Sequence, residues 1–394
     1  MGYIINVNYK KQLMNIPSIL IITHINFWDK QMGSHQRLFS LIKYLEKYFS
    51  LDLIYLEPKK DTDIVNINKL NLKTKIIFID DLDEYFIDIK KQKEFLSRNK
   101  ILQDFNNDSF VSKVNGLLNK KNYSHIIIEY IHLSYFLPIL KDKILILDSH
   151  DIMSKRNLIF KMNNQKHWID IFEKEELEIF KYFDKVLAIQ KSEYKYLIDN
   201  NINSLYIPHP INVYKNSYSN TSDKYKIVIF IGGFNAGNNN AIQWFIKNIW
   251  NYFKKNSYIK LFIYGSVCNA LKDNLIDSNI ELKGNVENLE EVYNKALIAI
   301  NPVQIGGGLK IKNIESMSFG VPLITTSIGA KGLEDCIDKG FIVANSKDEW
   351  IKTLLNLLLY PKLRESLSNE AYKYINKNFN ENKSFIELKN FIKN

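Results

Sequence analysis

Residues 303–333, VQIGGGLKIKNIESMSFGVPLITTSIGAKGL, leave this chain few ways to fold. Gly306, Gly307 and Gly308 follow an apolar run at 297–300 and precede Ile311, Ile314 and Met317, which recur at three-residue steps. Gly320 stops that helical pattern, and 321–325 reads as the next buried strand. The order strand, glycine loop, helix, strand is the unit of a parallel α/β sheet. A glycine loop opening a helix presents backbone N–H groups and the positive dipole end, which suits a phosphate. Lys310, after Leu309, falls in the first turn, where a cation opposes that dipole; a bound polyanion removes the conflict. Glu315 lies about 7 Å of helix rise further on. One loop therefore offers anion donors, a cation and a carboxylate. For the glycines alone, an ordinary strand–loop–helix without a ligand is an equal reading.

The same alternation runs along the whole chain. Strands are expected at 18–23, 51–56, 75–79, 124–130, 143–148, 185–189 and 204–207, then at 227–231, 259–264, 280–283, 299–302 and 340–343. Residues 211–224, INVYKNSYSNTSDK, are polar and unpatterned and read as a linker. The expected organisation is α/β: two Rossmann-like parallel-sheet domains, 1–210 and 225–375, and a terminal helix over 376–394. Residues 1–15 read as a loose polar tail. The helical segments between 83 and 121 do not resolve into elements.

The 394 residues suit two or three domains. No run of 18 apolar residues and no signal-peptide pattern occurs. Cys268 and Cys336 lack metal-ligand spacing and fit free thiols in a reducing, cytoplasmic setting. The net charge of +10 is spread without a block of like charges, so no nucleic-acid arm is indicated. Weak attraction to an anionic membrane face is compatible with it.

Ligands in open α/β sheets gather beyond the carboxyl ends of the strands. Four further loops lie there. Gly33-Ser34 opens a helix carrying Arg37, with Ser34 as candidate N-cap. Ser149-His150-Asp151 follows the strand at 143–148, and Glu129 and His132 end the strand before it. Gly232-Gly233-Phe234-Asn235 opens a helix, and Gly284-Asn285 ends a strand. Each has a plain structural reading: a capped helix, a hydrogen-bonding histidine, a tight turn.

The segment GGGLKIKNIESMSFGVPLITTSIGAKGLE, with Lys310, Glu315, Gly320-Val321-Pro322 and Gly329–Gly332 in register, resembles the donor-sugar signature of GT-B glycosyltransferases, in the retaining group called family 4. The family's usual motif has two glutamates with seven residues between them; Gly307 stands at the first position, a variant followed by Lys310-x-Lys312. DSHDIMSKR resembles the family's cleft-facing segment of the first domain, and GSHQR fits its first loop loosely. The resemblance implies two domains facing a cleft, a terminal helix returning to the first domain, and a nucleoside-diphosphate sugar as co-substrate with no other cofactor. It implies donor contacts from Gly232, Gly233, Asn235, Gly284, Asn285 and 306–310, a ribose contact from Glu315, and His150, Lys310 and Glu315 as reaction-centre residues. Gly33, Arg37 and Asp151 fall on the acceptor or cleft side. The family's arginine or lysine after the first donor loop is missing here, and Lys310 is expected to supply that charge. The acceptor would be a glycan, lipid-linked or protein hydroxyl, in surface polysaccharide or glycoconjugate synthesis, with peripheral association at the inner-membrane face. No metal site is expected; Asp61-Thr62-Asp63 reads as a surface loop. A nucleotide-sugar epimerase of the same fold and a non-catalytic sugar-nucleotide binder are the alternatives.

Overall fold

The computed structural model describes residues 16–29, 32–214, 225–271, 277–286 and 288–394. The expected tail and linker residues 215–224 lie outside this set. The chain divides into two compact units: Met1–Ser154, Trp168–Ile207 and Phe385–Asn394, and then Lys155–His167 and Pro208–Ser384.

In chain order the first unit runs β1 (Ser18–Thr23), α1 (Gly33–Leu45), β2 (Ser50–Tyr55), α2 (Asp61–Asn68), β3 (Lys75–Phe78), α3 (Ile89–Arg98), α4 (Asp108–Lys120), β4 (His125–Glu129), β5 (Ile144–Asp148), α5 (Met153–Met162), α6 (Glu173–Phe180), β6 (Lys185–Ala188), α7 (Lys191–Asp199) and β7 (Ser204–Tyr206); α5 straddles the division between units. The strands form one parallel sheet in the order β3-β2-β1-β4-β5-β6-β7. Alternate residues feed opposite faces: Leu20, Ile22, Ile126 and Ile128 enter one core, and Ile19, Ile21, Ile127 and Ile146 the other. Burial on both faces is why these strands read as continuous apolar runs rather than alternating ones.

The second unit runs β8 (Lys226–Ile231), α8 (Ala236–Asn248), β9 (Ile259–Tyr264), β10 (Ile280–Gly284), α9 (Leu289–Lys295), β11 (Ile298–Asn301), α10 (Ile311–Ser318), β12 (Leu323–Thr325), β13 (Ile342–Val343), α11 (Lys347–Leu359), α12 (Pro361–Asn378) and α13 (Glu381–Ser384). Its parallel sheet has the order β10-β9-β8-β11-β12-β13. The last helix, α14 (Ile386–Lys393), belongs to the first unit.

The division differs from the expected 1–210, 225–375 and 376–394. Ala371, Ile375 and Phe379 pack with Val292, Ile314 and Phe341, and the Ile211 amide donates to the Phe379 carbonyl at 2.8 Å. The chain therefore stays in the second unit through Ser384. Phe385, Leu388 and Ile392 instead share a core with Ile19, Ile21 and Leu41. Residues 155–167 group with the second unit although strands of the first flank them.

Two local readings are corrected. The N-cap of α1 is Met32, without a side-chain cap bond, and Gly33 is the first helical residue, so Ser34 does not cap. Asp61-Thr62-Asp63 is the first turn of α2, where the carboxylates favour the dipole, and Asp63 Oδ1 accepts from Trp28 Nε1 at 3.1 Å. Among the described residues no helix is long and apolar enough to cross a membrane.

Candidate functional site

The second sheet reverses its order between β8 and β11, the position where open α/β sheets bind ligands. The loops that leave these two strands carry the predicted donor residues. After β8, the Gly232 amide donates to the Tyr264 carbonyl at 3.0 Å and the Phe234 amide to Ser266 Oγ at 2.9 Å. A Cβ on Gly265 would stand 2.3 Å from the Gly232 carbonyl oxygen, so the loops after β8 and β9 touch through bare backbone. Asn235 is the N-cap of α8, its Oδ1 accepting from the Asn238 amide at 2.9 Å. The Gly284 carbonyl accepts from the Gly265 amide at 2.6 Å, and Asn285 is exposed beside it. A depression of about 400 Å³ opens along α8, lined in part by Asn240, Trp244, Lys247 and Ile305.

After β11, Gly306 and Gly308 have φ of +133° and +73°, values that side chains resist. Lys310 is the N-cap of α10, and its Nζ folds back onto the carbonyls of Gly307 at 2.5 Å and Gly308 at 2.7 Å. In a planar trans peptide the C=O and the next N–H point in opposite directions. The Gly308 and Leu309 amides therefore face away from the ammonium. The amides of residues 306–309 make no hydrogen bond among the described residues. Unengaged amides at a helix N-terminus are the kind of group that can bind an anion.

Lys310 was expected to supply the charge missing from the first loop, but the side chain that spans that gap is Lys312. Its Nζ donates to Asn238 Oδ1 at 2.7 Å and lies 4.6 Å from the Phe230 ring centroid. Asn238 Nδ2 in turn donates to the Gly233 carbonyl at 2.9 Å, tying both loops together. Burial lowers the Lys312 pKa to about 7; Glu315 opposes this shift and Lys310 adds to it. Glu315 is buried and accepts a hydrogen bond from Tyr293, whose hydroxyl pKa is raised by burial and by that carboxylate. Tyr293 stacks on Phe319 at 4.7 Å, and Phe319 on Tyr214 at 3.9 Å.

The first sheet reverses between β1 and β4, and the predicted residues near this point are more buried than expected. Arg37 is 1% exposed. Its Nε lies 2.7 and 3.0 Å from the two Asp148 oxygens, and its Nη1 donates to the Ile207 carbonyl at 3.0 Å. The expected position on the cleft side is thus corrected to the interior of the unit. Arg37, Leu41 and Tyr44 share the inward stripe of α1, a spacing that signals burial. Asp151 is likewise buried, hydrogen-bonded to Glu193, whose carboxyl is pushed well up by burial and by the Asp151 charge. His150 Nε2 meets Glu129 Oε2 at 2.5 Å. Glu129, Asp148 and His150 each bring one ligand atom within 4.8 Å of the others, but Arg37 and the His150–Glu129 bond already engage them.

Lys312, Asn238, Tyr293 and Asp148 were not singled out as site residues. The Lys310-x-Lys312 pair carried a signal, because side chains two apart leave a helix in different directions. Asn238 and Tyr293 carried none, since their roles depend on partners 74 and 22 residues away.

Residues 225–359 match the family glycosyl transferases group 1. The matched residues contain both glycine loops, Lys312 and Glu315. Among curated relatives, the chain is 23% identical over 391 residues to the poly(glycerol-phosphate) alpha-glucosyltransferase of Bacillus subtilis, covering 93% of this chain and 52% of that protein. It is 26% identical over 254 residues to an uncharacterized 44.6 kDa protein in the cps region of Klebsiella pneumoniae, covering 60% of this chain and 63% of that one. The chain thus spans less than two thirds of the length of either relative. Among solved structures, S. aureus TarM in complex with fondaparinux, alpha-GlcNAc-glycerol and UDP superposes with a TM-score of 0.70 at 14% identity, over 96% of this chain and 100% of that one. Anabaena HepE with UDP and glucose gives 0.68 at 10% identity, over 96% and 100%. The fold is GT-B, with Rossmann-like sheets of seven and six strands.

Proposed function

We propose that this chain is a glycosyltransferase that moves a sugar from a nucleoside-diphosphate sugar to a hydroxyl of a glycan, lipid-linked or protein acceptor. The product belongs to a surface polysaccharide or glycoconjugate. The transfer proceeds with retention and without a metal, and the protein works in the cytoplasm, peripherally at the membrane face. The observation that carries the donor reading is the set of unengaged amides at 306–309, opening α10 beside Lys310 and Lys312.

Breaking the anomeric C–O bond leaves negative charge on the diphosphate while the sugar becomes oxocarbenium-like. Donors already aimed at that charge stabilise it more than the ground state. The amides supply hydrogen bonds, Lys310 fixes the peptide planes that aim them, and Lys312 supplies a cation between the two loops. Glu315 accepts from the ribose hydroxyls, which positions the donor without moving a proton. UDP is the first nucleotide to test, since the TarM and HepE structures contain it. The net charge of +10 supports attraction to an anionic membrane surface.

The test incubates the purified chain with a panel of nucleotide sugars, with and without glycan, polyol-phosphate and lipid-linked acceptors, and measures nucleoside diphosphate release. Acceptor-dependent release that survives EDTA is the expected result. A new sugar nucleotide without release would establish an epimerase, and binding without turnover a non-catalytic protein.

A further inference from the structure

Tyr130 after β4 and His150 after β5 have φ of +70° and +58°. Positive φ at residues bearing a Cβ is uncommon and persists where the surroundings enforce it. Here it places the two rings in a stack, with centroids 4.1 Å apart and planes 20° apart. Beneath them the register of β4 and β5 pairs Glu129 with Asp148, setting two buried carboxylates side by side.

The two carboxylates are compensated differently. Arg37 engages both oxygens of Asp148. Glu129 is fully buried and has one partner, His150 Nε2, while its Oε1 has none among the described residues. Burial and the charge of Asp148 push the Glu129 carboxyl up, and its bond to His150 pulls it down. Neighbouring His24, which follows β1, is driven to a pKa of about 4 by burial and then by His150 and His35, so it does not compete as a cation. His150 Nδ1 makes no hydrogen bond among the described residues and is not among the fully buried unpartnered atoms, on a side chain that is 6% exposed.

We propose that Glu129 is a positioning residue that holds His150 as the Nε2–H tautomer and turns Nδ1 outward to accept from a hydroxyl of the donor sugar or the acceptor. The carboxylate fixes which nitrogen carries the proton, the Tyr130 ring fixes the imidazole plane, and the backbone of His150 fixes where the side chain starts. Asp148 with Arg37 keeps a second negative charge from claiming that proton. The inference rests on the transferase reading for the identity of the hydroxyl, but not for the tautomer.

The test is 15N NMR of the full chain labelled at histidine, at a pH where the imidazoles are neutral, combined with transfer kinetics. The wild type is expected to show His150 with its proton on Nε2. Glu129→Gln keeps a carbonyl acceptor and retains that tautomer. Glu129→Leu loses the tautomer and lowers kcat by about tenfold or more, while nucleoside diphosphate affinity in the second unit stays within about twofold. If hydrolysis of the donor without acceptor falls in step, the hydroxyl is the donor sugar's; if that hydrolysis is unchanged while transfer falls, it is the acceptor's. A wild-type His150 with its proton on Nδ1 overturns the proposal even where no variant folds, as does a Glu129→Leu protein with altered tautomer and full turnover. A wild type without any transfer, whose tautomer still follows Glu129, removes the transferase reading and leaves the positioning in place.

Discussion

The two units place different chemistry at the same topological position. Both sheets are parallel and reverse their order once, between β1 and β4 in the first and between β8 and β11 in the second. At the second reversal the loops carry unengaged backbone amides, with Lys310 on the carbonyls of the same loop and Lys312 reaching across to the other. At the first, the strand ends hold buried carboxylates, an arginine that satisfies one of them, and imidazoles stacked among aromatic rings. The topology sets where a ligand can approach. The residues just past each strand set what it can be, because strand interiors are committed to packing on both faces.

This comparison predicts that damage in one unit should not be read out by the other's ligand. The largest effect should come from Arg37→Met, which leaves Asp148 as an uncompensated buried charge and costs about 3–5 kcal/mol of stability. Denaturant unfolding should show that loss, and adding Asp148→Leu should recover much of it. Calorimetry on the folded variant should show unchanged nucleoside diphosphate binding; a lost affinity would break the separation between the units.

Next in size is the removal of the bridging cation. Lys312→Met should weaken nucleoside diphosphate binding by about 1.5–3 kcal/mol, with little effect on the nucleoside alone. Lys310→Ala should cost less in binding and more in rate, since it loosens the loop that aims the amides. Equal affinities in wild type and Lys312→Met would return the charge to Lys310.

A smaller change is expected for Glu315→Gln, about 1 kcal/mol, visible with nucleoside even when no phosphate is present. Unchanged nucleoside affinity would leave Glu315 a structural residue bonded to Tyr293.

The smallest effect is a proton count. With its pKa lowered to about 7, Lys312 is largely neutral in the free protein at mildly alkaline pH. A bound diphosphate favours the ammonium, so binding should take up a proton above that pH and weaken as pH rises further. Calorimetry in buffers of different ionisation enthalpy measures the uptake. It should vanish in Lys312→Arg, whose guanidinium stays charged; uptake that persists there would place the titrating group elsewhere.

The sequence by itself determined the parallel-sheet architecture and the glycine loop at 306–308. Continuous apolar runs such as Ile19–Ile22 and Ile126–Ile128 can satisfy both faces of a strand only between two helical layers, and three adjacent glycines after a strand admit few backbones. Those are local facts. The tertiary structure decided which lysine reaches the first loop, because that depends on Asn238 lying across from α10. It decided that Arg37 is interior, because Asp148, 111 residues away, comes to meet it. It also decided the partner of His150, through the register that sets Glu129 beside Asp148. A charged or titratable side chain takes its role from the charge that faces it, and in a parallel sheet that charge arrives from a distant part of the chain.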